Sequence, residues 1–219
     1  YIHVKEFAYW IEDLFAAADW AKQQCSSKPM FLLGEGFGGL QVLAAALDRK
    51  LQEHYGIQVS GVITLNAQLQ MGPLQTPSSI VRMLLSFLEP CYPRVQMMNY
   101  QLPLAEAFAN KEWARTAQED PAVRKSLLLT LSVALSMLVE GERVAAQAKS
   151  LEVPLLAIHA RRDSRTDFEA VQKFVDQAGS KAEWLWIDNT TGHRLLQDYK
   201  EVTEPVKNKV AEWIVRQAP

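Results

Sequence analysis

The chain has 219 residues, 48% of them apolar and 22% charged. That length suits one large domain able to bury roughly 70% of its unfolded surface, and the composition excludes global disorder. With 23 basic against 25 acidic side chains, a formal net charge of −2, there is neither the basic field of a nucleic-acid binder nor a polyacidic tail.

Val4–Gln24 carries Phe7, Ile11, Leu14, Phe15 and Ala18 at helical spacing, with Glu6, Glu12, Asp13 and Lys22 opposite, the pattern of an amphipathic helix. Ser26-Ser27-Lys28-Pro29 breaks it. Met30–Leu33 is a short apolar run bounded by Pro and Gly, as a buried parallel strand would be. Four glycines follow within six residues (34, 36, 38 and 39), and then a helix is expected over Leu40–His54. Further strands are expected at Val59–Leu65, Pro154–Ala160 and Glu183–Asp188, with helices at Phe168–Ala178 and Thr203–Gln217. Strands alternating with helices predict an α/β fold with a mostly parallel sheet.

The stretch from Gln68 to Leu151 breaks the alternation. It is rich in Leu, Met and Ala, with Pro at 73, 77, 90, 93, 103 and 121, and reads as several helices with no strand. Its longest uncharged apolar run, Ser126–Val139, is shorter than the ~18 residues a bilayer span needs. That run reads as a buried or cavity-lining helix, and no transmembrane segment is expected. Residues 1–67 and 152–219 are thus expected to form an α/β core, with 68–151 as a helical cap over one end of the sheet.

Two cysteines, Cys25 and Cys91, are too few for a disulfide framework and lack metal-ligand spacing. No metal or cofactor is expected. A reducing compartment, inside the cell or an organelle, fits this usage better than secretion.

The chemistry-bearing segment is Gly34-Glu35-Gly36-Phe37-Gly38-Gly39, between a strand and a helix. The same junction in α/β-hydrolases is the nucleophile elbow, G-x-S-x-G, a sharp turn that lifts a serine above the sheet. The flanking glycines are here, but Gly36 stands at the nucleophile position. A generic Gly-rich turn is the competing reading; the glycine spacing fits no dinucleotide fingerprint, and no Lys-Ser/Thr follows for a P-loop.

Along nearly its whole length the chain resembles the monoacylglycerol lipase/lysophospholipase branch of the α/β-hydrolases. The resemblance runs through Val4-Lys5-Glu6-Phe7, Phe31-Leu32-Leu33-Gly34, Val153–His159 with Arg161-Arg162-Asp163, Thr190-Thr191-Gly192-His193, and the tail Glu201–Ile214. It implies an α/β-hydrolase fold, Asp163 as the triad acid, His193 as the triad histidine, and the Phe37 amide as one oxyanion donor. The order nucleophile, Asp, His is the one this fold uses. Asp167 competes for the acid role, and Glu35 for that of a substitute nucleophile or base, although relatives carry His or Glu there without such use. His159, inside an apolar strand, reads as a hydrogen-bonded core histidine; His3 and His54 carry no site pattern.

Four departures from the family bear on function. Gly36 has no side chain to form an acyl-enzyme, and losing a triad nucleophile costs on the order of 10⁶-fold in turnover. The chain begins at Tyr1 rather than Met, without a signal-peptide pattern, about one helix–strand unit before the elbow. The family's first strands are thus expected upstream, together with the loop that donates the second oxyanion N–H. Arg161 and Arg162 flank the acid, where they would hold it ionised and draw it from His193. Asn66-Ala67 replaces the Ser/Ala-Pro of relatives.

Two functions follow as expectations. The first is a catalytically inactive hydrolase-fold protein acting as a structural or binding subunit of a larger assembly, compatible with a lipid or acyl chain held under the cap. The second is a serine ester hydrolase seen as an inactivated variant or incomplete chain. Without upstream strands, Met30–Leu33 is a flat apolar edge of the kind natural proteins cover, so other protein chains or an upstream segment are expected against it.

Overall fold

The structure is a computed structural model and describes residues 6–25, 28–72, 76–101, 107–123 and 126–218. His3, Val4, Lys5, the Ser26–Ser27 break, Pro73 and Pro103, named above, lie outside the described residues.

Helix α1 (Phe7–Gln24) leads into strand β1 (Met30–Glu35). Phe7, Ile11, Phe15 and Ala18 form its buried stripe, the face predicted by spacing. Helix α2 (Phe37–Leu47) starts three residues earlier than expected, because the elbow turn itself opens the helix. The single helix expected through His54 is two: Asp48 interrupts it, and its side chain caps α3 (Arg49–His54) by accepting from the Leu51 amide. Strand β2 (Val59–Leu65) follows.

The next segment departs from the expectation of helices alone. It contains α4 (Ser79–Leu88), β3 (Gln96–Gln101), α5 (Lys111–Glu119), β4 (Ser126–Thr130) and α6 (Leu131–Ala145). Strands β3 and β4 pair antiparallel as a separate two-stranded sheet. The Ser126–Val139 run is therefore part strand, with the helix starting at Leu131. An apolar run of that length does not distinguish the two by periodicity.

The chain then returns to the main sheet through β5 (Leu155–Ala160), α7 (Phe168–Ala178), β6 (Ala182–Ile187) and α8 (Lys200–Gln217). Four parallel strands lie in the order β1-β2-β5-β6. Because side chains alternate across a strand, the sheet has two cores. Leu32, Val62, Leu155 and Ala157 pack with α1, α2 and α7. Ile63, Leu65, Leu156 and Ile158 pack with Val202, Val206 and Trp213 of α8. Every residue of β5 is buried, as expected of an inner parallel strand. Among the described residues no helix is long and apolar enough to cross a membrane.

Candidate active site

The elbow rests on close backbone approach. A Cβ at Gly34 would lie 2.1 Å from the Gly38 carbonyl oxygen, and one at Gly39 would lie 2.8 Å from the Ala67 Cβ. Both positions therefore need glycine for the strand to turn directly into the helix. Gly38 meets nothing within 4 Å. Gly36 has φ +58° and ψ −121°, a region costly for other residues. Its amide donates to the Leu65 carbonyl at 2.9 Å, and its carbonyl accepts from Gln68 N at 2.9 Å. Phe37 opens α2, and as a first-turn amide it has no acceptor within the helix. Its ring is anchored against Trp10 (5.1 Å between centroids) and Phe7 (6.0 Å).

Asp163 lies in the loop after β5, and His193 in the loop after β6. They meet: His193 Nδ1 donates to Asp163 Oδ2 at 2.8 Å. The carboxylate side chain is fully buried and accepts two further bonds, from Thr166 Oγ1 at 2.6 Å and from Arg165 N at 2.9 Å. Burial pushes the carboxyl up, but the bonds from His193, Thr166 and Arg165 outweigh it and hold the group below the usual carboxylate range. The flanking arginines do not draw Asp163 away, contrary to the sequence expectation. Arg161 pairs with Asp188 at 3.2 Å, and Arg162 donates to the Asp188 carbonyl. Asp167 caps α7 through the Ala170 amide and takes no part in the pair.

The other end of the His193 ring reaches the elbow. A Cβ built on Gly36 would lie 2.7 Å from His193 Nε2 and 3.2 Å from Cε1. The imidazole thus occupies space that a side chain at position 36 would need.

Sequence reasoning did not identify the residues that hold His193 in this place. Asn66, fully buried, has φ +46°, a left-handed conformation that Asn tolerates better than most residues. Its Nδ2 donates to the His193 carbonyl at 2.8 Å and the Gly192 carbonyl at 3.3 Å, while Oδ1 accepts from Ala160 N at 2.7 Å. One side chain therefore ties the end of β5 to the histidine loop. Glu35, weighed from sequence as a nucleophile, is engaged instead in holding that loop. Oε2 accepts from Arg194 Nη1 at 2.7 Å and Oε1 from Leu195 N at 3.1 Å. The Ala107 carbonyl accepts from both His193 N and Arg194 N. The signals for these roles were present but indirect: an Asn at a strand end, and an acidic residue inside the elbow. Neither says which distant loop it will meet.

His159 is fully buried on β5 and hydrogen-bonded, and burial pushes its ring below the ordinary histidine range. What the site offers chemically is an oriented imidazole on a buried carboxylate, beside the amides of a helix N-terminus. Position 36, a glycine, offers no side chain to this pair.

Comparison with known proteins gives the fold a family. Mouse monoglyceride lipase is 21% identical over 211 residues, 96% of this chain. The chain spans 66% of the length of that relative and of its rat counterpart. The crystal structure of a monoacylglycerol lipase from Paleococcus ferrophilus superposes with a TM-score of 0.77 at 22% identity, covering 94% of this chain and 76% of the other. A soluble variant of monoglyceride lipase from Saccharomyces cerevisiae, solved with a substrate analogue, gives 0.79 at 18% identity, covering 95% and 69%. The family described as Hydrolase_4, serine aminopeptidase S33, matches residues 1–200, and this chain belongs to it, with an α/β-hydrolase fold of the monoacylglycerol lipase type.

Proposed function

We propose that this chain is a non-catalytic member of its family, a monoacylglycerol lipase-like protein acting as a structural or binding subunit of a larger assembly. One observation carries the reading: at the elbow a glycine stands where the nucleophile belongs, and a Cβ built there would lie only 2.7 Å from His193 Nε2. A working serine needs its oxygen between Cβ and the imidazole, at hydrogen-bond distance from the base. The Asp163–His193 pair then serves to bind the two C-terminal loops to the top of the sheet, together with Asn66 and Glu35. The segment 68–151 is the cap in this reading, and a lipid or acyl chain beneath it is compatible with the absence of chemistry.

A partner fits the edge of the sheet. Gly36 N bonds to β2, so in a parallel ladder Gly34 and Leu32 also face β2. Phe31, Leu33 and Glu35 turn their main-chain groups to the other side. Among the described residues no strand lies there, and Leu33 is 46% exposed. A strand from an upstream segment or from another chain would satisfy these groups.

The second reading is a serine ester hydrolase represented by an inactivated variant, and the intact Asp163–His193 hydrogen bond favours it. Incubating the protein with a fluorophosphonate probe and a short-chain ester separates the two. Neither labelling nor turnover above the buffer rate is expected, because a hydrolase of this type without its nucleophile loses on the order of 10⁶-fold in turnover. Labelling that depends on His193 overturns the non-catalytic reading.

A further inference from the structure

His159 is buried on β5 behind the acid, and neither reading above uses it. Its ring lies between two oxygens. Nδ1 is 2.9 Å from the Ala160 carbonyl oxygen, and Nε2 is 3.1 Å from Thr166 Oγ1. The same hydroxyl is 2.6 Å from Asp163 Oδ2, which His193 Nδ1 reaches from the other side at 2.8 Å. His159, Thr166, Asp163 and His193 therefore form one continuous chain of polar contacts.

Counting hydrogens along it exposes a shortage. Thr166 has one hydroxyl hydrogen, and the carboxylate is the strongest acceptor it reaches. Once that hydrogen goes to Asp163, the Thr166 oxygen is left to accept from Nε2, while Nδ1 faces the Ala160 carbonyl oxygen, which also accepts from Asp163 N at 3.1 Å. A neutral imidazole has a single N–H. In either tautomer one ring nitrogen presents a lone pair to an oxygen lone pair among buried groups. A ring protonated at both nitrogens satisfies every contact.

The surrounding charges divide. Burial and the His193 ring oppose a charge on His159, while Asp163 and Asp167 favour it. From α7, the Phe168 ring packs 5.7 Å from the His159 ring, and the Arg161 guanidinium lies 4.8 Å over that phenyl group.

We propose that His159 is a buried proton-uptake site: in mildly acidic solution, with the fold intact, its ring takes a second proton from solvent and fixes Asp163 through the Thr166 hydroxyl. His159 is then a positioning residue for the Asp163–His193 pair. The proposal holds for either function above, since it concerns the acid loop and not the nucleophile. Its effect on stability has a definite sign. Burial lowers the ring's proton affinity in the folded state, so the stability it contributes is complete above the unfolded value near pH 6.5. Stability falls as the pH drops below that value, and the loss levels off once the folded ring is charged.

Long-range ¹H–¹⁵N NMR of the ¹⁵N-labelled full chain reads the ring nitrogens directly. The His159 ring, assigned through its backbone, is expected to pass from one bound proton to two as the pH falls below the ordinary histidine value near 6.5, with far-UV circular dichroism unchanged. Thr166→Ser retains this transition. Thr166→Val moves its midpoint down by about one pH unit, a tenfold loss of proton affinity, and stops the His193 ring signals from moving in step with those of His159. A His159 ring that stays singly protonated until the native protein unfolds overturns the proposal. So does a transition identical in native, Ser and Val forms. The native protein and the Ser variant decide the first point even if the Val variant does not fold.

Discussion

At position 36 a backbone conformation and a neighbouring ring act together. With φ +58°, a non-glycine residue bears about 1–3 kcal/mol of strain, and its Cβ would meet His193 Nε2 at 2.7 Å. Gly36→Ser is therefore expected to lower unfolding free energy by that amount and to leave fluorophosphonate labelling at background. Denaturant titration and probe labelling check the two halves. A labelled variant of native stability would show the elbow still competent and favour the ester-hydrolase reading. Asp163 gives a pH signature. Its carboxyl is held low in the folded state by bonds from His193, Thr166 and Arg165 against the effect of burial. Its contribution is complete above the unfolded value near pH 4 and disappears as pH falls through the lower folded value. Asp163→Asn should thus cost about 1.5–3 kcal/mol near neutrality, the range for hydrogen bonds to a charged group. That cost should shrink as the pH falls below the unfolded value near 4 and through the lower folded value; a pH-independent difference in urea midpoints would refute the assignment.

Among the elements, the turn from β1 into α2 concentrates the steric demands. Gly34→Ala drives a Cβ to 2.1 Å from the Gly38 carbonyl oxygen, a backbone atom fixed by the helix, and is expected to cost about 2–3 kcal/mol. Gly38→Ala enters open space in the first turn of a helix and is expected to be neutral or stabilising by up to about 1 kcal/mol. Thermal denaturation of the two variants side by side checks this, and equal midpoints would refute it. The strand–helix alternation around this turn was legible because β1, β2, β5 and β6 are short apolar runs between breakers, and α1 and α7 have apolar stripes at helical spacing. The β3–β4 pair was not, because Ser126–Thr130 continues into helix α6 without a charged residue, Pro or Gly between them, and its pairing partner is remote in sequence.

For the molecule as a whole, the side of β1 turned away from β2 meets no strand among the described residues. Leu33 is 46% exposed there, and an uncovered apolar edge invites pairing. These 219 residues alone are therefore expected to self-associate. In the protein's native setting the β1 edge should be buried in an interface above the ~1,000 Å² typical of specific contacts. Sedimentation of the isolated chain tests this: a stable, soluble monomer would remove the argument for a covered edge and weaken the subunit reading.

The sequence alone determined the α/β layering, and it carried the expected order of elbow, acid and histidine, with glycine at position 36. Each of these is written in local periodicity, in turn residues or in the identity of a single side chain. The tertiary structure decided that the His193 ring lies against Gly36, that Arg161 and Arg162 turn to Asp188 instead of Asp163, and that Asn66 and Glu35 clamp the histidine loop. These outcomes are hydrogen bonds between residues up to 160 positions apart. Competition among donors and acceptors of similar strength is settled by which ones the packed sheet brings within about 3 Å, and no local pattern encodes that distance.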